Sequence, residues 1–324
     1  MSTPLSEFDL IAQFFTRPPH RADLGIGDDC ALLSVPPNTQ LAISTDMLVE
    51  GRHFFPNVDP AALGHKCLAV NLSDLAAMGA TPHSFTLAMG IPESDPIWLS
   101  HFSNAMLTLA DRFDCELIGG DTTKSPLTTI SITVIGTLPT GQALRRDAAQ
   151  DGDDVWVSGT LGDARLALGM FWQDWHLSVG DFEHARRKME WPEPRIALGR
   201  ALLLLAHAAI DISDGLMGDL GHILKRSGLG ATLNVDALPL SEELRQQPRE
   251  RQIHCALYGG DEYELCFTAS PEQREAIFAL GRQLHLPLSR IGTLHQGNDL
   301  LLENAEGEPI VTDGMAFDHF RSNE

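Results

Sequence analysis

The sequence predicts a mixed α/β protein built as two domains of ordinary size or one large one. Apolar strand-like runs alternate with helical patterns along the whole chain. Its 324 residues suit either arrangement. A polar stretch, residues 139–154, carries two glycines and alternating charge between strand-like runs and marks a candidate boundary.

Taken in order, short apolar runs at 31–35 and 40–45 flank the turn residues Pro36-Pro-Asn38 and read as strands. Residues 60–78 and 97–113 read as helices, with strands at 85–89 and 116–118 between and after them. Residues 127–138 alternate β-branched and polar side chains and read as a longer strand. Beyond the boundary, strands are expected at 155–158, 209–212, 231–235, 264–268 and 289–294. Helices are expected there at 163–172, 195–206, 216–227 and 271–284. Residues 172–195 hold three of the five tryptophans and end in Trp191-Pro-Glu-Pro-Arg195. Prolines 192 and 194 exclude a continuous helix there, and the stretch reads as a packed surface excursion or a lid.

Lys plus Arg number 23 against 44 Asp plus Glu, a formal net charge of −21. Nucleic acid and anionic membrane surfaces need a cationic face, so the balance argues against both as partners. A phosphorylated substrate is not, because bound divalent cations reverse the local sign of a carboxylate-lined site. Hydrophobic residues make up 43% of the chain, which supports a packed core rather than a disordered acidic chain. The five cysteines form no CxxC pair, which argues against a disulfide framework or thiolate zinc and for a reducing, cytoplasmic setting. Residues 1–10 do not read as a signal peptide. The most apolar stretch, 201–210, is too short to span a bilayer.

Two segment pairs share a 140-residue offset. Cys115-Glu-Leu-Ile-Gly-Gly-Asp121 matches Cys255-Ala-Leu-Tyr-Gly-Gly-Asp261, and Asn71-Leu-Ser-Asp74 matches Asp211-Ile-Ser-Asp214. Two matches in one register suggest duplicated halves with equivalent loops.

Chemistry concentrates in six segments: Gly25-Ile-Gly-Asp-Asp29, Ile43-Ser-Thr-Asp46, Asn71-Leu-Ser-Asp74, Gly119-Gly-Asp-Thr-Thr123, Asp211-Ile-Ser-Asp-Gly215 and Gly259-Gly-Asp-Glu-Tyr-Glu264. Four of these place acids just after a strand-like run or in a loop entering a new element, where α/β proteins gather ligand groups. Hard oxygens from Asp, Ser and Thr suit Mg²⁺ or Mn²⁺ rather than zinc. Asp residues distributed over several loops fit several cations gripping a polyphosphate. Any one of these Asp residues, taken singly, is better read as a helix cap or Asx-turn; their recurrence argues for a site. No Walker motif, GxGxxG, Ser/His/Asp triad or activated Cys is evident. His53, close after Asp46, reads more readily as a hydrogen-bonded structural residue than as a catalyst. Arg146 is a cation suited to phosphate or a solvated boundary residue. Phe317 is a stacking aromatic or a core anchor.

Together, Gly27-Asp-Asp-Cys-Ala31, Ile43-Ser-Thr-Asp46, residues 71–80, Ile118-Gly-Gly-Asp-Thr-Thr123, Asp211-Ile-Ser-Asp-Gly-Leu216 and Tyr263-Glu-Leu-Cys-Phe267 resemble the bacterial thiamine-monophosphate kinases. That family belongs to the superfamily typified by aminoimidazole ribonucleotide synthetase. The resemblance runs from Phe8 to Phe320. It implies two α/β domains of mixed sheets flanked by helices. Residues 1–145 would bind ATP and metal and dimerise, and residues 146–324 would complete the active site in a homodimer. It implies ATP-dependent phosphorylation of thiamine monophosphate, the last step of thiamine diphosphate biosynthesis, with several Mg²⁺ ions. The implied metal positions are Asp29, Ser44, Thr45, Asp46, Asp74, Asp121, Asp211 and Asp214, of which Asp46, Asp74, Asp121 and Asp214 form the catalytic group. ATP positions are Gly120, Asp121, Arg146 and Ser213; substrate positions are His53, Asp261 and Phe317.

The chain departs from the family's frequent Gly-Gly-Glu-Asp-Tyr-Glu at Asp261-Glu262, from its Tyr or Trp at Phe317, and from its Arg-Pro-x-Pro-Arg at Trp191. Selenophosphate synthetases would carry a reactive Cys or Sec with a Lys near the start, and residues 1–24 hold neither Cys nor Lys. Hydrogenase-maturation ATPases would end in cysteine, whereas this sequence ends Arg-Ser-Asn-Glu324.

Overall fold

The structure, a computed structural model, describes residues 6–312. Two compact units divide the chain: Met1–Leu75 with Ala80–Gln142, and Ala76–Gly79 with Ala143–Glu324.

The first unit opens with α1 (Glu7–Phe14), whose N-cap Ser6 accepts the Asp9 amide. Then come β1 (Thr39–Val49), α2 (Pro60–Ala77), β2 (Thr81–Ile91), α3 (Pro96–Arg112), β3 (Glu116–Lys124) and β4 (Thr129–Pro139). The strand order is β1-β4-β2-β3, with β2 and β3 parallel and the other pairs antiparallel. Along β4 every second residue from Ile130 to Leu138 is buried, so the sheet has one covered and one open face. α2 is buried along almost its whole length. A Cβ on Gly64 would lie 2.1 Å from the Phe102 carbonyl oxygen, so glycine is what lets α2 approach α3 this closely.

The second unit contains β5 (Asp154–Ser158), α4 (Asp163–Phe171), α5 (Val179–Glu190), α6 (Ile196–Leu202), β6 (Ala208–Asp211), α7 (Leu216–Ser227) and β7 (Leu229–Asn234). It continues through α8 (Glu242–Arg245), α9 (Arg249–Tyr258), β8 (Leu265–Ala269), α10 (Arg274–Leu284), β9 (Leu288–Gln296) and β10 (Leu300–Glu303). Its mixed sheet runs β10-β7-β9-β5-β8-β6, with only β10 and β7 parallel among these neighbours. β5 and β8 are buried at every position, as strands covered on both faces are. Val155 and Val157 join the core that includes Leu220 and Ile223 of α7. Trp156 instead stacks on Phe267 and meets the edge of Phe278 on α10.

Most expected elements form, with four instructive differences. Residues 31–35 make no strand; Leu32 forms only an isolated bridge to Leu24. Within 172–195, Ser178 caps α5, which stops at Glu190 before Pro192. α9 was hidden by its polar start, Arg249-Glu-Arg-Gln252, which reads as surface loop. The proposed duplication fails, because its matched segments fold differently. Asn71–Asp74 lies inside α2, whereas Asp211–Asp214 ends a strand and turns. Gly119–Asp121 lies within β3, whereas Gly259–Asp261 follows α9. The shared letters are turn and cap chemistry that both a helix and a loop accommodate.

Candidate active site

In the first unit, Asp46, Asp74 and Asp121 sit in regular elements rather than in the loops expected from sequence, while Asp29 lies in a bend outside them. Strand alternation turns Ser44 and Asp46 of β1 to one face, toward α2. There the Ser44 hydroxyl donates to Asp74 Oδ2 at 2.5 Å. The Asp46 amide donates to Asn71 Oδ1 at 3.1 Å, and Asn71 Nδ2 donates to the Cys67 carbonyl at 2.9 Å. Asn71 and Asp74 are three apart on a helix, hence neighbours on one face. The result is a hydroxyl bonded to the Asp74 carboxylate beside Asp46, whose backbone is held by a buried asparagine that sequence reading missed as a support.

Thr45 lies on the other face, where its hydroxyl meets that of Thr133 at 2.8 Å. Gly120 pairs with Leu87, Leu87 with Ile132 and Ile132 with Asp46, so Asp46 and Gly120 end one register row across four strands. Three strand spacings separate them, about 14 Å. Asp121 shares its row with exposed Ala88 and with Ser131, on the open face. Gly120 has φ +152°, and a Cβ there would lie 1.9 Å from the Leu87 carbonyl oxygen, so glycine is required. Asp29 is exposed. His53 is half-buried after β1 and accepts the Val49 amide at Nδ1, 3.0 Å away. A neutral ring therefore carries its proton on Nε2.

In the second unit, Asp211 ends β6 and is buried, and a tight turn through Ile212, Ser213, Asp214 and Gly215 enters α7. The amides of Ile212 to Gly215 are all engaged. Ile212 N–H donates to the Glu264 carbonyl at 2.8 Å. Asp219 Oδ2 accepts the amides of Ser213, Asp214 and Gly215 at 3.0, 3.0 and 3.1 Å. The carbonyls of Ser213 and Ile212 accept the amides of Asp261 and Tyr263, each at 2.8 Å. This ties the Asp211–Gly215 turn to the Gly259–Glu264 loop. Gly260 permits that approach, since a Cβ there would lie 2.4 Å from the Ser213 carbonyl oxygen. Burial pushes the Asp219 carboxyl up to about 7, against the pull of its amide donors and of Arg146. Arg146 is thus within electrostatic reach of this turn; its own carbonyl accepts the Ser227 hydroxyl.

Asp261 adopts φ +64° and Tyr263 φ +52°, and the Tyr263 hydroxyl donates to Asp261 Oδ1 at 2.9 Å. Glu262 turns the other way and accepts the Ala164 amide at the start of α4. Burial and the neighbouring Asp163 push the Glu262 carboxyl well above the usual range. Glu264 accepts the Ser158 hydroxyl at 2.5 Å and pairs bidentately with Arg195. The Arg retained from the expected proline motif is therefore a half-buried partner of Glu264, at the end of the Gly259–Glu264 loop. The Tyr258 hydroxyl, just before Gly259, bonds Thr312. Phe317 lies outside the described residues.

Among the described residues no group of three or more His, Cys, Asp or Glu is gathered tightly enough to hold a metal ion. The donor chemistry still fits Mg²⁺: the oxygens of Ser44, Asp46 and Asp74 in one unit, and of Asp211, Ser213 and Asp214 in the other, are all hard. Mg²⁺ usually keeps several waters and takes one or two carboxylates plus substrate phosphates. Burial pushes the Cys67, Cys115, Cys255 and Cys266 thiols up, which suits packed side chains rather than nucleophiles. No helix among the described residues is long and apolar enough to cross a membrane.

Two mixed α/β units, each presenting carboxylate and hydroxyl oxygens, match known proteins over both halves. Residues 27–138 match the family model of the AIR synthase related protein N-terminal domain, and residues 150–302 match that of the C-terminal domain. The chain is 46% identical to the thiamine-monophosphate kinase of Salmonella typhimurium strain LT2, over 97% of this chain and 98% of that one. The thiamine-monophosphate kinase structure from Stenotrophomonas maltophilia K279a aligns with TM-score 0.83 and 48% identity, over 90% of this chain and 92% of that one. A structure of AaThiL complexed with AMPPCP and TMP aligns with TM-score 0.77 and 29% identity, over 89% of each chain. The class is therefore the AIR synthase related proteins. Within it, this chain belongs to the thiamine-monophosphate kinases.

Proposed function

We propose that this member of the thiamine-monophosphate kinases works by direct in-line transfer. The γ-phosphoryl group of ATP passes to the phosphate of thiamine monophosphate, giving ADP and thiamine diphosphate. The observation that carries this reading is the Asp211–Gly215 turn. Its amides are engaged within the protein, so the chemistry it offers phosphate and cation is hard oxygen, from Asp211, Ser213 and Asp214, rather than N–H. The ATP and thiamine monophosphate pairing is supported by the AaThiL structure, which contains AMPPCP and TMP.

The acceptor oxygen of a phosphate monoester is already anionic near neutral pH, so no strong general base is needed. It forms a bond to the γ-phosphorus as the bond to the β-phosphate oxygen breaks, and ADP leaves with that electron pair. Arg146 and Ser213 bind ATP phosphate, with Gly120 and Asp121 as further nucleotide contacts. His53 donates its Nε2 proton to an acceptor phosphate oxygen, and Asp261, held by Tyr263, and Phe317 orient the acceptor. Asp29, Ser44, Thr45, Asp46, Asp74, Asp121, Asp211 and Asp214 would hold Mg²⁺, which supplies neutralisation of the opposed phosphates. Asp46, Asp74, Asp121 and Asp214 carry the largest share of that charge compensation.

A coupled ADP assay tests this reading. ADP release is expected only with thiamine monophosphate among a panel of phosphorylated vitamins, with no phosphorylated protein trapped by rapid quench. Acceptor-independent ADP release, or a phospho-protein on the reaction path, would overturn it.

The reading extends to a homodimer joined through the open face of the first unit's sheet. Leu41, Ile43 and Met47 are exposed there at alternate positions of β1, an apolar row of the kind that marks an interface. Sedimentation is expected to give a dimer, and Ile43→Asp a monomer; a monomeric parent protein would remove this part. The five free cysteines support a reducing, cytoplasmic setting.

A further inference from the structure

Asp219 lies one turn into α7 and is 3% exposed. Three successive amides, from Ser213, Asp214 and Gly215, converge on its Oδ2 within 3.1 Å. Successive N–H groups turned to one point form a concavity that attracts an anion. Left empty, this one would draw in a phosphate oxygen. Filled by Asp219, it is closed to phosphate, and the turn's side chains become its outward chemistry. On its other edge the turn is bonded to backbone groups of residues 261–264. Asp219 is therefore a side chain that holds the path of Ser213–Gly215, by three bonds to one oxygen.

We propose that Asp219 is a positioning residue for phosphoryl transfer, whose carboxylate occupies the amide concavity of residues 213–215 and so aims Ser213 and Asp214 at the nucleotide and its cation. The proposal rests on the reading of this turn as part of the nucleotide site. Groups that orient metal or phosphate ligands from behind typically change affinity or activity by about 10- to 100-fold when removed.

The test is calorimetric titration of the full-length protein with Mg·ADP, run beside turnover. In Asp219→Ala the Kd for Mg·ADP is expected to weaken by about 10- to 100-fold. Turnover falls with it, while the KM for thiamine monophosphate stays within about twofold. Asp219→Asn keeps one acceptor oxygen but loses the charge that strengthens the three bonds, and is expected to weaken Kd by about threefold or more. A merely structural loss lowers the number of binding sites without moving Kd, so Kd is the deciding readout. If Asp219→Ala does not fold, Asp219→Asn decides alone. Unchanged Kd and turnover in the folded variant would overturn the proposal. Asp214→Asn serves as the control: if it leaves both unchanged, the nucleotide-site reading of the turn fails instead.

Discussion

Asp74→Asn and Asp214→Asn are each expected to lower turnover by roughly two or more orders of magnitude while the protein folds normally. Asp74 stands on α2, where its Oδ2 accepts the Ser44 hydroxyl at 2.5 Å. An asparagine oxygen of the same reach accepts that bond too, so the local structure survives. What is lost, on the proposed assignment, is negative charge where a cation would offset phosphoryl oxygens. Asp214 is half-buried in a turn whose backbone is pinned independently of its side chain, so its replacement is equally local. Turnover by coupled ADP release, with circular dichroism and melting as controls, checks both. Near-parental turnover in both variants would remove the site assignment.

Arg195→Leu is expected to destabilise the protein by about 3–5 kcal/mol, measured by urea unfolding. Glu264 is 4% exposed, and its carboxylate is bound by Arg195 and Ser158. Burial alone would lower the Arg195 pKa, but the Glu264 charge outweighs it and holds the guanidinium above its ordinary value. Removing the guanidinium leaves a buried carboxylate with a single hydroxyl donor among its side-chain partners, close to the acidic Glu262. Replacing both members, as Arg195→Leu with Glu264→Gln, is expected to recover much of the loss, because the buried charge goes as well. A single-variant loss below about 1 kcal/mol would contradict this account of the pair.

Helices α2 and α3 of the first unit were legible because their apolar residues repeat at helical spacing, whereas α1 was not read from sequence, and the long alternation of β4 announced a strand. The motif segments were legible as chemistry but not as structure. Asn71-Leu-Ser-Asp74 has the letters of a turn, yet it lies within an almost wholly buried helix whose apolar neighbours decide its conformation. Thr45 follows Ser44 in sequence, but the pleat sends it to the opposite face, which no reading of composition reveals. Trp191-Pro-Glu-Pro-Arg195 invited attention to a missing cation, while the retained Arg195 pairs with a residue 69 positions away. Asp219 resembles an ordinary acid in the first turn of a helix, placed for the helix dipole. Its proximity to Gly215 was the available signal, and only the backbone path showed three amides meeting one oxygen.

By itself, then, the order of amino acids determined most element types, the hard-oxygen chemistry and the family likeness, because each is written in residue types over short spans. Which oxygens face the same side, which carboxylate supports rather than reacts, and which cation meets which acid were decided by folding alone. Those are matters of direction and burial, set when distant strands and helices pack and each polar group must find a partner.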